Sequence, residues 1–129
     1  MARRILSHLA HVELLTPQLE ESAAFFTNTL GLVETARAPR SVYLRCWGEY
    51  YHHSLVLTAA AQPGLGHAAW RTDGPDELNE AAARIEASGI RGEWRDNRLG
   101  TAARTDFAVQ ADTRTKSSGK SIASTHPPT

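Results

Sequence analysis

Residues 9–15 (LAHVELL) are apolar with polar breaks, the pattern of a largely buried strand. The period then changes. Leu19, Ala23, Phe26 and Leu30 stand at i, i+4, i+7 and i+11, one face of a helix over residues 17–30. Thr16 and Pro17 read as a hydroxyl N-cap followed by proline at the first helical position, and Gly31 as the stop. Glu20 and Glu21 lie near the start, where the helix dipole favours negative charge. A second strand is expected over 32–36, broken by Ala38, Pro39 and Arg40. Residues 41–47 alternate, with Val42, Leu44 and Cys46 on one face and Tyr43, Arg45 and Trp47 on the other. Gly48 and Glu49 turn the chain into a fourth strand, residues 53–58 (HSLVLT).

After a Pro- and Gly-containing linker, 59–66, the pattern starts again. A strand over 67–71 leads through a loop, 72–75, to a helix over 76–88 whose apolar face is Leu78, Ala82 and Ile85 and whose stop is Gly89. His11 and Thr16 in the first half correspond to His67 and Thr72 in the second. The repeat they mark is as long as a whole strand-helix-three-strand unit. Strands over 90–95 and, weakly, 105–109 would follow. From Ala111 onward (ADTRTKSSGKSIASTHPPT) apolar residues almost vanish, so nothing offsets the entropy of ordering, and 111–129 is expected to be disordered. The expected organisation is one α+β domain, 1–110, made of paired βαβββ modules. The first spans about 9–61, and the second, about 66–110, is incomplete.

Charge narrows the partners. Fourteen basic residues balance 14 acidic ones in 129, which leaves no electrostatic footprint for nucleic acid or an anionic membrane. A small molecule or another protein is the expected partner. No apolar run is long enough to cross a bilayer, and the basic start has no uninterrupted apolar segment, so neither a membrane span nor a signal peptide is expected. The single cysteine, Cys46, excludes an internal disulfide and fits a reducing cytoplasm; its place beside Val42 and Leu44 predicts a buried thiol. No phosphate loop, nucleophile elbow or CxxC is present.

The stretches LAHVELLTPQLEESAAFFTNTLGL, VYLRCWGEYYHHSLVLTAA and PGLGHAAWRT, carried on a βαβββ unit that begins to repeat, resemble the vicinal-oxygen-chelate group. That group includes glyoxalases, bleomycin-resistance proteins and extradiol ring-cleavage dioxygenases. Over residues 5–100 the chain looks specifically like the N-terminal domain of catechol 2,3-dioxygenase-type enzymes. The resemblance implies a two-domain subunit that binds one Fe(II) through two histidines and one glutamate, leaving positions open for catechol and oxygen. It places the iron in the C-terminal domain and makes the N-terminal domain a silent duplicate. No catalytic or cofactor-binding residue is then expected in this chain, and no Fe(II) bound by it. A frameshift would account for the tail. Read one base out of frame from codon 100, the codons for 110–113 permit Pro-Gly-Gly-His and those for 114–120 permit Pro-x-Glu-Val-Phe-Trp-Glu, similar to the family's closing strand; the nucleotide sequence decides this.

His11 and His67 are the metal candidates. In metal-binding members of the group, ligands occupy the first and last strands of a module, and two such histidines could approach each other across a closed cleft. The matching acid is missing from SLVLT, so packing at a strand end is the expected role. His52 and His53, adjacent in a strand, would point to opposite faces and could not chelate together. His8 and His126 have no partner by spacing. Trp47, Tyr50 and Tyr51 are expected in a core or interface, and Glu77, Glu80 and Glu86 on solvated helix faces. Two functions compete: an inactive fragment of an extradiol dioxygenase acting on aromatic diols, and a small binding protein that sequesters an aromatic ligand as a homodimer. A non-functional product with unpaired, aggregation-prone strand edges is the third expectation.

Overall fold

The computed structural model describes residues 3–99, 102–110 and 120–124. In chain order the elements are β1 (Leu6–Thr16), α1 (Leu19–Ala24) running on into a π-helical turn (Phe25–Thr29), β2 (Val33–Ala38), β3 (Ser41–Arg45), β4 (Leu55–Ala59), β5 (Gly64–Thr72), α2 (Pro75–Ala87), β6 (Gly92–Leu99), β7 (Ala102–Gln110) and β8 (Lys120–Ser124). The chain divides into two compact units, one formed by residues 11–67 and the other by the described residues before 11 and after 67.

In the first unit the strand order is β2-β3-β4-β1. β2 pairs antiparallel with β3, through an irregularity between Glu34 and Ala36, and β3 pairs antiparallel with β4. β4 lies parallel to β1, from Val12 opposite Leu55 to Thr16 opposite Ala59. Parallel neighbours need a long crossover, and the α1 helix with the β2–β3 hairpin supplies it. Period two then sorts the side chains. Val42, Leu44 and Leu57, with Leu14 and Leu55 beside them, form the apolar core against Ala23, Leu19 and Phe26 of the helix. The residues between them (His11 and Glu13 on β1, Tyr43 on β3, Thr58 on β4) go to the other face.

The second unit has the order β5-β8-β7-β6, with β8–β7 and β7–β6 antiparallel. It repeats the layout of the first, the last strand lying beside the first and the hairpin outside. Leu78 and Ala82 of α2 pack on Phe107 of β7, with Ile85 and Val109 alongside. Gly92 lies against the Phe107 ring, where a Cβ would stand 2.1 Å from its Cζ.

The repeat, the hairpin and both helices stand where the hydrophobic pattern puts them. Gly31 and Gly89 take the positive φ angles, 77° and 87°, that end helices. The differences have local causes. The N-cap of α1 is Gln18, without a side-chain cap, and Thr16 acts from two residues upstream: its Oγ1 accepts the Gln18 N–H at 3.1 Å and contacts Ser22 Oγ at 2.8 Å. The helix does not stay α to Leu30. Thr27 Oγ1 donates to the Ala23 carbonyl at 2.9 Å, a back-bond that competes with the helical ladder. The turn widens, and Leu30 N–H reaches the Phe25 carbonyl. Leu30 is consequently 56% exposed, and Leu32 packs on the core in its place.

Cys46 is exposed, not buried. β3 ends at Arg45, and Cys46 opens a turn in which its N–H donates to Glu49 Oε2 and its carbonyl accepts the Glu49 N–H. Trp47 and Tyr50 share that excursion and are 88% and 80% exposed, so neither is a core residue. β5 begins at Gly64, inside the expected linker. Within the stretch expected to be disordered, residues 120–124 form β8, paired with β7 from Asp106 opposite Ser124 to Gln110 opposite Lys120. Strand addition draws on main-chain donors and acceptors, which a polar sequence has as fully as an apolar one. Residues 111–119 and 125–129, His126 among them, lie outside the described residues.

Candidate functional site

On the face of the first unit away from α1, a chain of polar side chains crosses four strands. Ser41 Oγ on β3 is 2.9 Å from Thr58 Oγ1 on β4. Thr58 Oγ1 donates to Glu13 Oε2 on β1 at 2.8 Å. The other Glu13 oxygen, Oε1, lies 3.1 Å from His67 Nδ1 on β5. His67 Nε2 meets His11 Nε2 of β1 at 2.7 Å. The His11 ring stands 4.8 Å from that of His53, and His53 Nδ1 is 2.8 Å from His52 Nδ1. Tyr43 closes the cluster, 5.0 Å from the His53 ring and 6.1 Å from that of His52.

Strand periodicity explains the gathering. His11 and Glu13 are two apart on β1 and share a face. Gly66 leaves the space for Glu13: a Cβ there would stand 2.1 Å from Oε1 and 2.7 Å from both Cδ and Cγ. His11 and His53 are each 6% exposed, whereas the Glu13 and His67 side chains keep partial access to solvent at 23% and 19%. A carboxylate can only accept, so His67 Nδ1–H donates to Glu13. In a neutral ring that leaves the lone pair of His67 Nε2 facing His11.

His11 and His67 are thus brought together, as their matching places in the repeat suggest. The acid beside them is Glu13. The family pattern points to the last strand of the module for an acid; this one stands on the first, two residues from His11, where period two reveals it. His52 and His53 are not split across a sheet. β4 starts at Leu55, the pair lies in the preceding bend, and the two Nδ1 atoms touch. His8 sits apart, its Nδ1 3.1 Å from Ser7 Oγ.

The cluster differs from a two-histidine, one-glutamate iron site. Glu13 lies behind His67, on Nδ1, and not beside the two Nε2 atoms, which are hydrogen-bonded to each other. Among the described residues no three or more His, Cys, Asp or Glu side chains are grouped to hold a metal ion. The residues therefore do not fit that site. No helix among the described residues is long and apolar enough to cross a membrane.

Comparison with known proteins gives a consistent answer. A family model described as Glyoxalase/Bleomycin resistance protein/Dioxygenase superfamily matches residues 8–113. The metapyrocatechase of Geobacillus stearothermophilus is 47% identical over 95 residues, covering 74% of this chain and 29% of that protein. A manganese-dependent 2,3-dihydroxybiphenyl 1,2-dioxygenase of Geobacillus genomosp. 3 is 36% identical over 89 residues, covering 69% of this chain and 28% of that protein. Among solved structures, a variant of homoprotocatechuate 2,3-dioxygenase from Brevibacterium fuscum superimposes with a TM-score of 0.81 at 25% identity, over 96% of this chain and 33% of that one. The chain spans a third or less of the length of each of these relatives.

Proposed function

From the premise that this chain belongs to the Glyoxalase/Bleomycin resistance protein/Dioxygenase superfamily, we propose that it is the N-terminal domain of an extradiol dioxygenase acting on catechol-type aromatic diols. On this reading it is a folded scaffold that does not cleave the ring by itself. The observation that carries this is the 47% identity to a metapyrocatechase over only 29% of that protein's length. The donor set supports it. Ring cleavage at a non-haem iron requires three protein ligands on one side of the metal and open positions on the other. The described residues offer two imidazole nitrogens hydrogen-bonded to each other and a carboxylate turned away from them.

The test is direct. The chain is mixed anaerobically with catechol and ferrous iron, or with manganese(II), and air is admitted. The coloured ring-opened product is expected to form no faster than with metal alone. Product at enzymatic turnover overturns the proposal. The single cysteine supports a reducing, cytoplasmic setting for this role.

A second reading keeps one specific observation. β8 gives the second unit, expected from the sequence to be incomplete, the element order of the first, and a small binding protein built of two βαβββ units draws its support from that order. A sharp dimer on sizing chromatography that also binds catechol stoichiometrically without metal would favour that reading over the first.

A further inference from the structure

The polar face of the first unit carries imidazoles for which the scaffold role has no use, and they meet in two pairs. His67 Nδ1–H donates to Glu13, so the bare His67 Nε2 accepts the His11 Nε2–H at 2.7 Å. His52 Nδ1 and His53 Nδ1 stand 2.8 Å apart, so one of them carries the proton and the other the lone pair. The His53 ring joins the pairs, 4.8 Å from the His11 ring and 5.0 Å from that of Tyr43. Each pair can take up one proton and keep its hydrogen bond, an imidazolium donating to an imidazole. A second proton leaves no bare nitrogen in the contact and sets two N–H groups against each other.

His11 and His53 are both buried, where like charges repel more strongly than in water. Glu13 of β1 offsets one charge, at His67, and its other oxygen is taken by Thr58 of β4. Glu49 accepts from the Cys46 N–H and from Ser54 Oγ. Arg45 of β3 adds a positive charge and donates to the Tyr51 carbonyl. Tyr43 of β3 presents its ring to both His52 and His53. What yields is set by the main chain. β1, β3 and β4 are tied by strand ladders, and residues 46–53 lie outside them. We propose, independently of the dioxygenase reading, that the imidazole pairs are an acid-operated latch. At neutral pH the His53 ring holds residues 46–53 against His11. Acid charges both pairs, and repulsion between His53 and His11 then frees that segment, with its exposed Trp47 and Tyr50, while the strands stay paired.

The sign follows from proton binding. The freed state binds more protons than the latched one, so release grows as pH falls, its equilibrium constant rising roughly tenfold per pH unit for each extra proton. Imidazoles charge between about pH 5 and 8, and staying above about pH 5.5 leaves ordinary carboxylates out of the range. NMR on the full chain from about pH 7.5 to about pH 5.5 tests this. Overhauser contacts from the His53 ring to those of His11 and Tyr43 are expected at the upper limit and lost at the lower. Backbone order parameters of residues 46–53 should fall from about 0.85 to below about 0.6, while amides of β3 and β4 stay protected from exchange. H53F keeps a ring against His11 and Tyr43 that cannot be charged, and its segment should stay ordered throughout. H8A, whose imidazole sits apart beside Ser7, should follow the parent. Should H53F not fold, the parent's imidazole nitrogen shifts decide: at neutral pH His67 should hold its proton on Nδ1 and His11 on Nε2, and both preferences should vanish as the segment is freed. A segment indifferent to pH, strands that lose protection together with it, H53F behaving as the parent, or the opposite tautomers would each overturn the proposal.

Discussion

Replacing Gly66 with alanine tests whether Glu13 is held as described. Gly66 does not have a positive φ, so alanine suits its backbone. Elsewhere in a fold such a change stabilises by about 0.4–1 kcal/mol, because the unfolded chain loses freedom. Here the new Cβ would overlap Glu13 Oε1, so the carboxylate must swing away from both Thr58 and His67. Hydrogen bonds to a charged group contribute about 1.5–3 kcal/mol each. The Glu13 side chain is 23% exposed, so water recovers part of that, and half the range is a fair value for each bond. The two losses then total about 1.5–3 kcal/mol. After the backbone gain, G66A should cost about 0.5–2.5 kcal/mol. The sign should reverse once Glu13 is gone. In an E13A background the Glu13 carboxyl atoms and Cγ that the methyl would overlap are gone, and G66A should be neutral or stabilising by about 0.5 kcal/mol. Urea unfolding of the four proteins measures the coupling as a double-mutant cycle. Equal cost in both backgrounds would refute the arrangement of Gly66, Glu13 and His67.

Leu57 is fully buried in the first core, and L57A should cost about 2–5 kcal/mol, read as a lower urea midpoint at unchanged slope. Cys46, being exposed, should react with an aromatic disulfide reagent in the native protein as fast as it does in denaturant; protection would mean that β3 runs past Arg45. The hydrogen bond from Arg37 holds the Glu34 carboxyl below its usual range, so the pair contributes stability above the unfolded carboxylate value and loses it as pH falls through the lower folded value. Carboxyl-carbon titration by NMR should show that value rising in R37A, with little change in stability because both groups are open to solvent.

Much of this arrangement is legible in the sequence because side-chain period follows backbone geometry. The regular spacing of His11 and His67 places both at matching points of a repeat, and the structure brings their Nε2 atoms together. Glu13 is easily overlooked because the family pattern directs attention to SLVLT, although i+2 on β1 is the same face as His11. His52, His53 and Cys46 depart from the expected pattern for a common reason. Strict alternation stops at the true strand ends, and beyond them turns set the side-chain directions. β8 is hidden because it lies in a mostly polar stretch and its pairing is made by the main chain. The widening of the first helix is hidden too, since it depends on whether Thr27 turns its hydroxyl inward.

That widening has a consequence for how the chain can vary in length. A π turn is an α-helix with one residue to spare, so the segment Phe25–Thr29 is a slack link. Removing one residue there would restore the regular i−4 ladder and carry the apolar sequence beyond it back toward the core, where Leu30 would compete for the place Leu32 now fills. Removing one residue from a strand such as β1 would instead turn every later side chain of that strand to the opposite face. Single-residue deletions should therefore be tolerated between Phe25 and Thr29 and rejected on β1, where His11 and Glu13 would exchange the polar cluster for the apolar core.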